Sequence, residues 1–286
     1  MISDFDTNTI YFSERIKTDN RFKNTYDQIT SILKSFGVKP LLLPNTNDIW
    51  ARDYMPIQVN GTKYVEYRYD PDYLQGNSED KETRELKTYP DIVCDSIGLK
   101  TKKIDIILDG GNVVKSSKSI ILTDKIVWEN RRKYSEKELI IKLHELFEVE
   151  KVVLIPWDEE CEFGHADGML RFIDENTVLI SGFYETADTD FKGQILKSLK
   201  ESRLAWEWLR CSNNESENNI TYLNFLQTND LILIPKINRR EDNIAFDQIL
   251  KYFPNYAKNK RFAQVDMTEI VKFGGALNCI TWTTKE

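Results

Sequence analysis

The stretch Glu162-Phe163-Gly164-His165-Ala166-Asp167-Gly168-Met169 lies between an apolar run, Val152-Val153-Leu154-Ile155-Pro156, and a second short one, Arg171-Phe172-Ile173. Apolar, β-branched runs bounded by turn residues read as strands, so this polar octapeptide sits at a strand mouth. Its histidine and carboxylate, two residues apart, form a candidate acid/base and cation-binding unit. The one other histidine, His144, falls in a helix-like pattern and reads as an ordinary packing or surface residue.

The arrangement recurs along the chain. An apolar run at 39–44 empties into the segment 47–56, which carries Asp53, and the run 104–108 stops at Asp109-Gly110-Gly111-Asn112. Asp53, Asp109 and His165 are spaced by 56 residues, and Cys279 stands 114 beyond His165, about two further steps. Helical spacing of apolar residues predicts helices over 19–36, 79–97, 135–147, 191–209 and 243–253. Strands are expected over 9–12, 57–60, 63–69, 113–114, 119–122, 169–173, 177–180, 220–223, 231–235 and 262–265, with Asn60-Gly61 as a hairpin turn. Segments 70–77 and 212–219 are polar loops. A unit of strand, polar stop, hairpin and helix repeated at this period is the signature of a closed or stacked repeat architecture. Five units account for residues 1–286 as a single domain, and in a closed ring each delivers its stop to a common axis.

The chain has 286 residues and a formal net charge of −7, with basic and acidic side chains interleaved, which argues against a nucleic-acid binder and for a cationic or neutral partner. No apolar run is long enough to cross a bilayer, and no secretion signal opens the sequence. Four cysteines without a CxxC pair argue against a disulfide framework or zinc knuckle. A cytoplasmic protein with free thiols is expected. A homo-oligomer stays open.

Convergence of the stops gathers Asp53, Asp109, Asn112, His165, Asp167 and Cys279. Clustered carboxylates resist ionisation unless a cation joins them. A planar guanidinium satisfies two of them through paired, charge-assisted hydrogen bonds. Cys279 beside that cation would be a nucleophile, although a free thiol ionises near a pKa of about 8.5 and needs help from His165 or the substrate's charge.

The motifs Trp50-Ala51-Arg52-Asp53-Tyr54-Met55-Pro56, Asp109-Gly110-Gly111-Asn112, Gly164-His165-Ala166-Asp167 and Gly274-Gly275 through Asn278-Cys279-Ile280-Thr281 together resemble the agmatine deiminase and bacterial-type peptidylarginine deiminase family of guanidino-group-modifying enzymes. Each motif alone is weak; four in the family's order are specific. The resemblance implies an α/β fold, a five-bladed pseudo-symmetric propeller of pentein type built from ββαβ repeats. It implies hydrolytic deimination of a small guanidino compound, agmatine or a related arginine derivative, giving ammonia and a ureido product (N-carbamoylputrescine from agmatine) with no metal or organic cofactor. By similarity Cys279 is the nucleophile, His165 the general acid/base, and Asp53 and Asp167 the guanidinium clamp. Trp50, Asp109, Asn112, Glu160 and Glu162 are the candidate substrate-binding residues, the two glutamates either reading a distal amine or forming a solvated acidic turn. Asn278 stands where a histidine is expected, Asp109 where a glutamate is usual, and Met55 where a glycine is common. The same residues fit an amidinotransferase or a peptidyl- or free-arginine deiminase. A non-catalytic guanidino binder would not need Cys279, and a cysteine protease would have no use for paired aspartates.

Overall fold

The computed structural model describes residues 1–75, 84–186, 188–211 and 221–286. The recurrence resolves into five three-stranded sheets. In chain order the strands are β1 (Thr9–Ser13), β2 (Leu41–Leu43), β3 (Ile57–Gln58), β4 (Tyr64–Arg68) and β5 (Lys102–Ile107). They continue with β6 (Val114–Lys115), β7 (Ser119–Thr123), β8 (Lys151–Ile155), β9 (Leu170–Phe172) and β10 (Thr177–Ser181). The last are β11 (Ala205–Leu209), β12 (Leu226–Gln227), β13 (Ile232–Lys236), β14 (Phe262–Asp266) and β15 (Thr281–Thr284).

Each sheet repeats one plan. A short inner strand pairs antiparallel with a middle strand, as in β3–β4, β6–β7, β9–β10 and β12–β13. The chain then crosses over and adds an outer strand parallel to the middle one, as in β4–β5, β7–β8, β10–β11 and β13–β14. A parallel neighbour demands such a crossover, and helices α1 (Lys23–Ser35), α2 (Pro90–Ser96), α3 (Glu136–Phe147), α4 (Thr189–Glu201) and α5 (Glu241–Tyr252) supply it. The fifth sheet closes the ring: β1 is its middle strand, with β2 parallel on one side and β15 antiparallel on the other. The protein is a five-bladed α/β propeller.

Packing follows from pattern. β7 is buried along its whole length, and β10 and β13 nearly so, hence their continuous apolar runs. α1 buries Tyr26, Ile29 and Leu33 on one face and gives way to Gly37 at φ 76°. α3 starts on a capping box between Ser135 and Glu138. The inner strands hold a buried polar ring: Gln58, Lys115, Arg171, Gln227 and Thr283, spaced by 56 or 57 residues, each pair with the middle strand of their own sheet.

Three sequence expectations need correction. The helix expected over 191–209 ends at Glu201; the chain turns at Arg203 (φ 54°), and Ala205–Leu209 is the outer strand β11, alternating exposed and half-buried positions before Leu209. Helical and strand readings compete in such a tract, and pairing with β10 decides it. The helix expected over 79–97 is interrupted: among the described residues Arg84 and Glu85 are helical, residues 86–89 are turn and coil, and the seven-residue α2 starts afresh where Pro90 fixes its first turn. Residues 221–223 form a single 3-10 turn rather than a strand, with Tyr222 and Leu223 buried. The ends of the expected loop 70–77 and strand 220–223, the start of the 79–97 helix and the whole loop 212–219 lie outside the described residues.

Candidate active site

The polar stops meet on one side of the ring. Asp53 sits in the single helical turn Ala51–Tyr54, Asp109 precedes the 3-10 turn Gly110–Asn112, and His165 precedes the 3-10 turn Ala166–Gly168. Their close approach depends on Gly111, whose N–H donates to Asp53 Oδ1 at 3.0 Å. A Cβ there would lie 2.5 Å from Asp53 Oδ1 and 2.6 Å from His165 Nδ1. Asn112 ties the second and third blades together: its Oδ1 accepts from the Thr123 N–H (2.9 Å), the Thr123 hydroxyl (3.0 Å) and the Ala166 N–H (3.2 Å).

His165 stands between carboxylates, with Nε2 2.9 Å from Asp109 Oδ2 and Nδ1 3.8 Å from Asp53 Oδ1. Asp109 Oδ2 also accepts from the Tyr73 hydroxyl at 3.3 Å. Burial opposes charge on the imidazole, but Asp53, Asp109 and Asp167 outweigh it and raise its pKa to about 9. Asp53 is pushed up to about 8 by burial, held back by His165 and lifted further by Asp167, Asp109 and Asp48. The free site therefore holds one proton more than its carboxylates would carry in water, and a bound cation can replace that proton.

Cys279 lies in the turn at 277–280 that leads into β15. Asn224 organises it. The Asn224 Oδ1 accepts from the Cys279 and Ala276 N–H groups (3.1 and 3.2 Å), and its Nδ2 donates to Cys279 Sγ at 3.1 Å and to Asp167 Oδ2 at 3.3 Å. Asn278 Nδ2 donates to the same Asp167 oxygen at 2.7 Å, and the thiol lies 3.7 Å from it. Burial, then Asp167 and Asp53, raise the Cys279 pKa well above its ordinary value, so the free site holds a neutral thiol.

These groups open on a cavity of about 210 Å³ lined by Trp50, Asp53, Tyr73, Phe163, His165 and Cys279, with Asp48, Glu162 and Phe273 among the others. The Trp50 ring packs across Gly275, where a Cβ would come within 2.5 Å of it. Phe163 covers Gly274, whose φ of 89° favours glycine in any case. Among the described residues the lining holds no lysine or arginine. Nor do the described residues bring together three His, Cys, Asp or Glu side chains as a metal ion would need.

Of the residues singled out in the sequence, Cys279, His165, Asp53, Trp50 and Glu162 line the cavity, and buried Asp167 lies 3.7 Å from the thiol. Three others differ from expectation. Asp109 is turned to His165, Asn112 is spent on backbone and Thr123, and exposed Glu160 lines a separate cleft with Trp128 and Trp157. Asn224 and Tyr73 were not anticipated. Asn224 is 57 residues after Asp167, so the period extended into the plainer fourth unit points to it. His144 behaves as an ordinary residue, with Nδ1 3.0 Å from the Val149 carbonyl.

Fold and site together define a five-bladed α/β propeller with a cysteine, a histidine and carboxylates at one end of its axis. The family model for Porphyromonas-type peptidyl-arginine deiminases matches residues 2–284, and the chain belongs to that family. It is 28% identical over 211 residues to a provisionally named agmatine deiminase of Enterococcus faecalis, covering 62% of this chain and 57% of that relative. The match thus spans under two thirds of the relative's length. Solved structures confirm the fold: an agmatine deiminase of Enterococcus faecalis superposes with a TM-score of 0.76 at 18% identity, covering 100% of this chain and 95% of that one. A C. jejuni agmatine deiminase gives 0.75 at 17% identity, with the same coverage. Among the described residues no helix is long and apolar enough to cross a membrane.

Proposed function

We propose that the protein hydrolyses a C–N bond of a small cationic guanidino compound, with agmatine as the leading substrate. The observation that carries this reading is the meeting of Cys279, His165 and Asp53 on one small cavity, with Asp167 3.7 Å from the thiol. The site is short of one cation, and a guanidinium supplies it. Its charge also favours the thiolate that burial disfavours, so the nucleophile forms only when substrate is present.

In the reading we favour, Cys279 gives up its proton to solvent as the guanidinium binds, and Sγ bonds to the guanidinium carbon. The C–N bond to one terminal amino group breaks, and that nitrogen leaves as ammonia with a proton from imidazolium His165. Water, giving a proton to the now neutral His165, attacks the amidino-thioether. The C–S bond breaks, Cys279 is regenerated, and the ureido product departs. Asp53 and Asp167 orient the guanidinium throughout by charge-assisted hydrogen bonds.

An acid-lined rim favours a substrate without a carboxylate. Asp48 and Glu162 lie on the described lining, where free arginine would call for a cation. An ammonia-release screen over agmatine, arginine, peptidyl-arginine and small guanidines, run without any acceptor amine, tests the reading. The highest specificity constant is expected for agmatine. Higher values for arginine would overturn the substrate, and turnover only with an added amine would make the enzyme an amidinotransferase.

A further inference from the structure

A second charged layer lies beneath the carboxylates, and the reaction above does not use it. Two members of the buried axial ring, Lys115 and Arg171, are cations, and Arg52 joins them from the turn that carries Asp53. All three converge on Asp4, in the 3-10 turn Asp4–Asp6 that precedes β1. Lys115 Nζ lies 2.7 Å and Arg52 Nη1 3.6 Å from Asp4 Oδ1, and Arg171 Nη2 lies 3.1 Å from Oδ2. Further donations go to carbonyls: Lys115 to Ile2 (2.9 Å), Arg171 to Phe225 (3.0 Å) and Arg52 to Asn278 (3.4 Å). Three cations against one anion leave the layer positive.

Two of these cations are guanidinium groups carried next to the proposed guanidinium clamp. Arg52 adjoins Asp53 in sequence, Arg171 follows Asp167 by four residues, and Arg171 is within electrostatic reach of both Asp167 and Cys279. A buried guanidinium without a partner is costly and seeks a carboxylate. Without Asp4, Asp53 and Asp167 are the carboxylates at hand.

We propose that Asp4 is a positioning residue for the site: it holds Arg52 and Arg171 on the axis, keeps the protein's own guanidinium groups out of the substrate clamp, and sets the potential felt by Cys279. This role rests on the proposed deimination for its effect on substrate, but not for its effect on the thiol. The charged groups facing Cys279 are Asp167, Asp53 and Arg171; those facing Asp4 are Lys115, Arg52 and Arg171.

The test is a charge cycle of Asp4→Asn, Lys115→Met and the double variant, with two readouts. One is the pH midpoint of Cys279 alkylation by neutral iodoacetamide, followed by peptide mass analysis with Cys94, Cys161 and Cys211 as internal controls. The other is the KM and kcat for agmatine. Removal of one unit of charge from the layer should move the midpoint by about one pH unit and KM by about tenfold. Asp4→Asn should lower the midpoint and raise KM with kcat little changed, Lys115→Met should do the reverse, and the double variant should return toward wild type. A structural role alone would shift both single variants in the same direction, with no recovery in the double, and would overturn the proposal. If Asp4→Asn does not fold, the alkaline shift in Lys115→Met decides it alone. If the thiol midpoints shift as expected while agmatine is not turned over, the substrate assignment fails and the role of Asp4 stands.

Discussion

The two halves of the cavity are built on different principles. On one side His165 sits between Asp53 and Asp109, ionisable groups delivered from equivalent positions of three blades. On the other, Cys279 and Asp167 are held by the neutral amides of Asn224 and Asn278. The first half keeps its imidazole protonated in the free site, as the acid role proposed for it requires. The second keeps its thiol neutral, and so waits for a cation. On the proposed mechanism, this contrast couples the activation of Cys279 to the arrival of substrate charge.

The deepest break comes from Cys279→Ala, which should abolish turnover while leaving the circular dichroism spectrum and melting temperature close to wild type. Mass analysis of trapped intermediate should place the adduct on Cys279, and an adduct on Cys161 or Cys211 would move the nucleophile to the wrong half. Next in size, Asp53→Asn and Asp167→Asn should each weaken agmatine binding by about tenfold to a hundredfold, since a hydrogen bond to a charged group contributes about 1.5–3 kcal/mol. Steady-state kinetics check this. Near-normal values in both variants would show that the clamp lies elsewhere.

Proton balance sharpens the comparison. With Asp53 near 8, agmatine binding to the Cys279→Ala variant at pH 7 should release up to one proton, visible as a calorimetric enthalpy that depends on the buffer's ionisation enthalpy. The release should fade above pH 8. Stability of the free protein carries the same signature. His165, raised from 6.5 to about 9, contributes stability that is full below pH 6.5 and lost as pH rises through 9. Asp53 keeps its proton longer folded than unfolded, so it too lowers stability as pH rises between 3.8 and about 8. A melting temperature that rose from pH 6.5 to 9 would contradict both assignments. The smallest effect separates the two loop glutamates: Glu162→Gln should raise the KM for agmatine a few-fold through the lost rim charge, and Glu160→Gln should leave it unchanged.

The sequence made the charged half readable because its residues repeat. Asp53, Asp109 and His165 keep a period of 56, and polar residues at strand mouths stand out against the apolar runs before them. The amide half was harder to see. Asn224 lies in a unit without a reactive residue at its stop, and asparagine is common in turns, so nothing but the period distinguishes it. Asp109 and Asn112 were recognised as belonging to the site but not by contact, because sequence spacing does not say whether a side chain turns to the cavity or to a neighbour. The helix expected over 191–209 failed for a related reason: the strand at Ala205–Leu209 exists by pairing with β10, a long-range fact that local periodicity does not hold.

The ring is sealed by a single seam, β15 against β1, with Thr9 opposite Thr284. Joining partners so distant in sequence carries a large loop-closure entropy and is intrinsically slow, so this seam is expected among the last contacts to form. The turn bearing Cys279 runs directly into β15. An incompletely folded chain therefore presents an ordinary cysteine, and the built environment around that sulfur arises only once the circle is complete.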